Sequence, residues 1–172
     1  DLEQEIRLAM CPLREVVAQK ALLVALEIAP DVPRYLLGDA LRVRQVVRQL
    51  LGNAVKFTEH GKIVVAVRCL ERSPEYALLE ISVCDTGIGL DDEQKARIFN
   101  RFEQSDNSIT RRYAGTGIGL ALAAKLVQFM GGEMGVDSTP GQGSTFRFSL
   151  PVGIETPPAS AASGGVDCET NG

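Results

Sequence analysis

The chain has 172 residues, 45% hydrophobic and 23% charged, a composition that suits one globular domain with a real core. Its net charge of −4, from 22 acidic and 18 basic residues, excludes a global attraction to nucleic acid or anionic membrane, so any phosphate binding must be local. Four cysteines (Cys11, Cys69, Cys84 and Cys168) lack CxxC or metal-type spacing, three of them sit among apolar residues, and a reducing, intracellular setting is expected. The apolar run 21–28 is too short to span a bilayer. Because the chain opens on Asp1, a longer, membrane-bound parent is compatible with it.

In chain order, spaced apolar residues predict an amphipathic helix over 2–20, kinked or delayed at Pro12, whose ring removes an amide. A strand follows at 22–28, a turn at Pro30 and Pro33, and a short strand at 34–37 stopped by Gly38. Asp39 is placed to cap a helix running to Phe57. Strands are predicted over 62–70 and 76–84, a helix over 91–102, and a long polar loop over 103–114. A helix over 118–130 ends at Gly131-Gly132, and strands 133–137 and 144–150 flank a Pro-Gly turn. Residues 1–151 form the domain, and 152–172, rich in Pro, Ala, Ser and Gly, read as a flexible linker. Strands alternating with helices, plus two hairpins, predict an α/β chain: a two-layer α/β sandwich with a mixed sheet covered on one face by about three helices.

Three segments can carry chemistry. On the 39–57 helix, Val43, Val46, Val47, Leu50, Ala54 and Phe57 share an apolar face, with Arg44 and Arg48 directed to solvent. Gln45, Gln49, Asn53 and Lys56 line a polar stripe, whose amides can offer oxygens to Mg²⁺ and whose lysine can meet a terminal phosphate; a solvated face would look the same. Asp85, ending an apolar strand before Gly87 and Gly89, can accept from the exocyclic amine of adenine, although Asp-Thr-Gly is also ordinary turn chemistry. It resembles the catalytic turn of aspartic proteases as well, but those need two such carboxylates, and this chain has one. Gly115-Thr116-Gly117-Ile118-Gly119-Leu120 runs into a helix and makes an anion cradle of backbone amides, with Arg111 and Arg112 upstream to reach phosphates.

The order of these pieces closely resembles the GHKL (Bergerat-fold) ATP-binding catalytic domain of sensor histidine kinases. QVVRQLLGNAVKFT at 45–58 is similar to that family's N box, DTGIG at 85–89 to its G1 box, RIFNRFEQSD at 97–106 to its F box, GTGIGLALAAKLVQFMGG at 115–132 to its G2 box, and GQGSTFRFSLP at 141–151 to its closing strand. The resemblance implies Mg²⁺-ATP as ligand. It implies Asn53, with Gln49, at the metal, Lys56 at the terminal phosphates, and Asp85, Gly87, Gly89 and Phe57 around adenine. Residues 103–114 would be a lid closing with Gly115, Thr116, Gly117, Gly119 and Leu120 on the phosphates, and Thr145 would support the adenine end. Phe99 and Phe102 are expected as core anchors at the lid base, and His60 as an exposed loop residue rather than a phosphoacceptor. Gln49 departs from a common asparagine, and Ala114 from a common glycine. The implied partners are a histidine-bearing dimerisation domain of the same parent and a downstream receiver domain or response regulator, in a cytoplasmic domain of a parent anchored in the inner membrane. A GHKL-type ATPase and a nucleotide-binding pseudokinase are the alternatives.

Overall fold

The computed structural model describes residues 1–103 and 117–155. Arg111, Arg112, Gly115, Thr116, the body of the expected lid and the tail from residue 156 lie outside them, as do the side chains of Phe99 and Phe102.

The Asp1 carboxylate accepts from the Gln4 amide at 3.1 Å and caps α1 (Leu2–Met10), which sends Ile6 and Ala9 fully into the core. At Pro12 the chain tightens into a 3-10 turn, Cys11–Leu13, before resuming as α2 (Arg14–Gln19), which is the expected kink. Helix α2 ends in a Schellman motif: Leu22 N–H donates to the Val17 carbonyl and Ala21 N–H to that of Ala18, with Ala21 left-handed at φ 51°.

Strand β1 (Leu23–Ile28) and the short β2 (Leu36–Leu37) precede α3 (Ala40–Phe57), whose N-cap is Asp39, accepting from the Arg42 amide at 3.1 Å. Hairpin β3 (Lys62–Arg72) and β4 (Tyr76–Asp85) leads to α4 (Asp92–Glu103). After the undescribed segment come α5 (Gly117–Phe129), β5 (Met134–Thr139) and β6 (Gly143–Ile154). The six-stranded sheet is ordered β1-β3-β4-β6, with β5 and β2 sharing the far edge of β6. β1 is parallel to β3 and every other pair is antiparallel, so the sheet is mixed. β6 continues past Pro151 to Ile154, because β2 pairs Leu36 with Ile154 and β4 pairs Tyr76 with Gly153.

Helices α1, α3 and α5 gather over one face. Ile63, Val65 and Val67 of β3, Ile81 and Val83 of β4, and Phe146, Phe148 and Leu150 of β6 meet Val43, Val46, Val47, Leu50 and Ala54 of α3 and Ala123 and Val127 of α5. Each of these valines, leucines, isoleucines and phenylalanines contributes about 1.5–3 kcal/mol by leaving water. Leu51 and Val55, outside the stripe read from the sequence, are also buried, facing Met10, Leu13, Val17 and Val24 across an apolar groove. Arg44 is not directed to solvent as expected: it pairs with Glu5 of α1 at 2.7 Å, because α1 packs along that side of α3.

The opposite face of the sheet carries the alternate residues, where Arg68 pairs with Glu80 and Arg147 with Asp137. Cys84 falls on it and is exposed, as is Cys11. For Cys84, strand alternation thus overrides the apolar neighbourhood in which the sequence places it. Among the described residues, no helix is long and apolar enough to cross a membrane.

Candidate functional site

The site forms where the C-terminal half of α3, the end of β4 and the start of β6 meet. Asp85 is the last residue of β4, opposite Ile63 on one side and Ser144 on the other, and only 6% of its surface is exposed. Its Oδ1 accepts from the Gly87 amide at 2.9 Å and the Ser144 amide at 3.3 Å. Burial raises its pKa above the ordinary 3.8, and those two hydrogen bonds oppose the rise without cancelling it.

The turn after Asp85 is tied to its neighbours. Ile88 N–H donates to the Phe57 carbonyl at 3.3 Å, Gly141 N–H to the Ile88 carbonyl at 2.7 Å, and Leu90 N–H to Ser138 Oγ at 2.7 Å. The approach is close enough that a Cβ on Gly87 would lie 2.4 Å from the Phe57 carbonyl oxygen. Gly89 is left-handed at φ 69°, with its open side against Thr139.

Ser144 was not singled out in the sequence; Thr145 was. Residues Ser144, Phe146, Phe148 and Leu150 of β6 turn to the helices, so Ser144 shares the face of Asp85. Thr145 sits opposite the exposed Cys84 on the other face and cannot support an adenine lodged at Asp85. Ser144 Oγ lies 2.9 Å from Ser138 Oγ, which donates to the Gly143 carbonyl at 2.9 Å, so this corner is a closed hydrogen-bonded network. Period-2 alternation with the two phenylalanines was the signal that could have found it.

Along α3 the polar stripe sinks as it nears the site: Gln45 is exposed, Gln49 half-buried and Asn53 buried. Two buried side-chain polar atoms have no hydrogen-bond partner among the described residues, Asn53 Nδ2 and Thr58 Oγ1, and both stand at this end of α3. Lys56 is exposed, its ammonium 5.3 Å from the centre of the Phe57 ring. Phe57 is half-buried and stands outside the core, although the sequence put it on the apolar face, because α3 ends there and the next residue already turns away.

Helix α5 begins at Gly117, and α3 meets it through Gln49. A Cβ on Gly119 would lie 2.0 Å from Gln49 Nε2, so this amide rests on the glycine and packs the two helices together. The Leu120 side chain points into the core and is 5% exposed, as a leucine on the inner face of an apolar helix must be, so only its backbone amide is left for the cradle expected there. His60 is exposed in the turn before β3.

Comparison with known proteins agrees with this architecture. Residues 38–154 match the family described as histidine kinase-, DNA gyrase B- and HSP90-like ATPases. Sensor protein GacS of Pseudomonas syringae pv. syringae is 49% identical over 120 residues, covering 70% of this chain and 13% of that protein. Signal transduction histidine-protein kinase BarA of Escherichia coli K12 is 44% identical over 131 residues, 76% of this chain and 14% of that protein. Among solved structures, full-length ShkA in complex with AMPPNP superposes with a TM-score of 0.75 at 33% identity, covering 94% of this chain and 32% of that one. The chain belongs to the histidine kinase-, DNA gyrase B- and HSP90-like ATPase family, and it spans about a seventh of the length of the curated sensor kinases it matches.

Proposed function

We propose that this chain is the catalytic domain of a sensor histidine kinase, binding Mg²⁺-ATP and passing the γ-phosphate to a histidine on a separate dimerisation domain of the same parent. The observation that carries the reading is Asp85, a buried carboxylate whose Oδ1 is fixed by two backbone amides, leaving the carboxylate to accept from an adenine amine. Gly87, Gly89, Phe57 and Ser144 surround it, and Gly117 and Gly119 open α5, whose N-terminal amides suit phosphate oxygens. The sequence of ShkA, solved with an ATP analogue, is 33% identical, and the curated relatives are named as sensor kinases.

The residues present also fit Mg²⁺. No group of three His, Cys, Asp or Glu side chains stands ready for a metal among the described residues, which suits an ion held mostly by phosphate oxygens and water. Asn53 would give it a carbonyl oxygen and turn its orphaned N–H to a phosphate; Gln49, its amide against Gly119, is the weaker ligand. When bound, the ion supplies charge neutralisation at the phosphates. The chain's own residues position: Asp85 orients the base, and Lys56 meets the terminal phosphate. A neutral imidazole nitrogen of the acceptor attacks the γ-phosphorus, the bond to the bridging oxygen breaks, and ADP leaves with that electron pair.

Gln49 favours the kinase over an ATPase. The related ATPases carry a glutamate there to activate water, and an amide is no base near neutral pH. The test incubates the chain with radiolabelled ATP, with and without a domain bearing the cognate histidine. The expected result is binding, feeble hydrolysis, no self-labelling at His60, and transfer to the added domain. Rapid hydrolysis by the chain alone would make it an ATPase; binding without transfer would make it a pseudokinase. The receiver domain or response regulator downstream, and a parent anchored in the inner membrane with this domain in the cytoplasm, belong to the same proposal.

A further inference from the structure

Helix α3 ends against the site, and each of its last four carbonyls is held by the protein. The Ala54 carbonyl accepts from Thr58 N–H at 3.0 Å, and that of Phe57 from Ile88 N–H at 3.3 Å. The other two go to one cation from a distant element: Lys20 Nζ lies 3.0 Å from the Val55 carbonyl and 3.4 Å from that of Lys56. It reaches the Thr58 carbonyl as well, at 3.2 Å, and the Glu59 carboxylate at 3.3 Å. The Lys20 side chain is 23% exposed, so these partners replace most of its water. Lys20 is itself the C-cap of α2, held in place by the Schellman motif at Ala21 and Leu22. It lies outside residues 38–154 and outside every sequence motif described above.

Helix C-termini leave four carbonyls without intrahelical partners and carry partial negative charge, and a cation seated there offsets both. The turn so closed contains Lys56 and Phe57, and the Phe57 carbonyl is what the Gly87-Ile88 loop packs against. We propose that Lys20 is a positioning residue for the nucleotide site: by capping α3 from α2, it fixes the turn that presents Lys56 and Phe57 before any ligand arrives. The inference rests on the ATP-binding reading above.

The test uses the full chain carrying Lys20→Met, Lys20→Gln or Lys20→Arg. In nucleotide-free protein, amide exchange at Ile88 is expected to quicken about tenfold in Lys20→Met, while Ile81, in the middle of β4, keeps the wild-type rate. Affinity for Mg²⁺-ATP, by calorimetry, is expected to fall about five- to tenfold, with Lys20→Gln intermediate and Lys20→Arg close to wild type. If Lys20→Met does not fold, the Gln and Arg variants carry the same comparison. A variant destabilised in the core outside the cluster that packs on α3, Leu79→Ala, should keep wild-type affinity under conditions where it is folded. Unchanged exchange at Ile88, unchanged affinity, or an equal loss in Leu79→Ala each overturns the proposal. If wild type itself does not bind ATP, the nucleotide reading falls, and the role of Lys20 with it.

Discussion

The two ends of the site are built on opposite principles. Around Asp85 the polar groups are answered within the protein: two amides on its Oδ1, the serine pair at 138 and 144, and the loop tied to α3 and to the β5–β6 turn. Further back along α3, one turn before Phe57, Asn53 Nδ2 is buried and unanswered among the described residues. An orphaned buried donor or acceptor costs about 1–3 kcal/mol, a loss that a ligand can make good. On the proposed reading, the pocket for the base is complete before nucleotide arrives, and Asn53 is answered only by it.

Asn53→Leu tests this contrast most severely. Binding of Mg²⁺-ATP should drop at least about a hundredfold, while nucleotide-free protein gains about 1 kcal/mol in urea unfolding, because an orphan has been replaced by an apolar group of similar volume. A loss of stability would show that Asn53 is satisfied, and the contrast would fail.

Asp85→Asn should weaken ATP about ten- to a hundredfold, the value of a buried hydrogen bond to a charged acceptor, and narrow the preference over GTP. It also has a pH signature. Folding raises the Asp85 pKa above 3.8, so as pH climbs through 3.8 the unfolded chain ionises first and wild-type stability falls until the folded group ionises too. An amide in its place carries no such penalty, so the variant should gain stability relative to wild type above that window and not below it. Equal pH profiles of unfolding for both proteins would contradict the desolvation of Asp85.

A smaller effect is expected where the two helices meet. Gly119→Ala should cost no more than about 1 kcal/mol, because only the end of the flexible Gln49 side chain must move, and Gln49→Ala in the same chain should remove that cost. A double-mutant cycle without coupling would show that the two residues do not touch. Comparably, Ser144→Ala should cost about 1 kcal/mol by breaking its bond to Ser138, whereas Thr145→Val should stay within about 0.5 kcal/mol and leave ATP affinity unchanged. The reverse ranking would return Thr145 to the site.

Much of this was legible along the chain. The Asp39 cap, the Pro12 kink and the Gly131 helix end are local chemistry, written within four or five residues, and each formed where the sequence predicted. Asn53 and Asp85 could be singled out as candidates because one lies on a helical stripe and the other at the end of an apolar strand, both visible in local periodicity. Thr145 was set on the wrong face although the alternation of Phe146 and Phe148 held the answer.

Local sequence was enough for the elements and for most of their inward faces, because hydrophobic periodicity, capping and turn chemistry act over a few residues. Tertiary structure alone decided which groups are answered. Lys20 meets carbonyls 35 and 38 residues away, Asp85 accepts from an amide 59 residues on, and Gln49 covers Gly119 across two packed helices. Those contacts depend on how α2, α3, α5 and β6 pack in three dimensions, and no local pattern encodes the distance between groups so far apart in the chain.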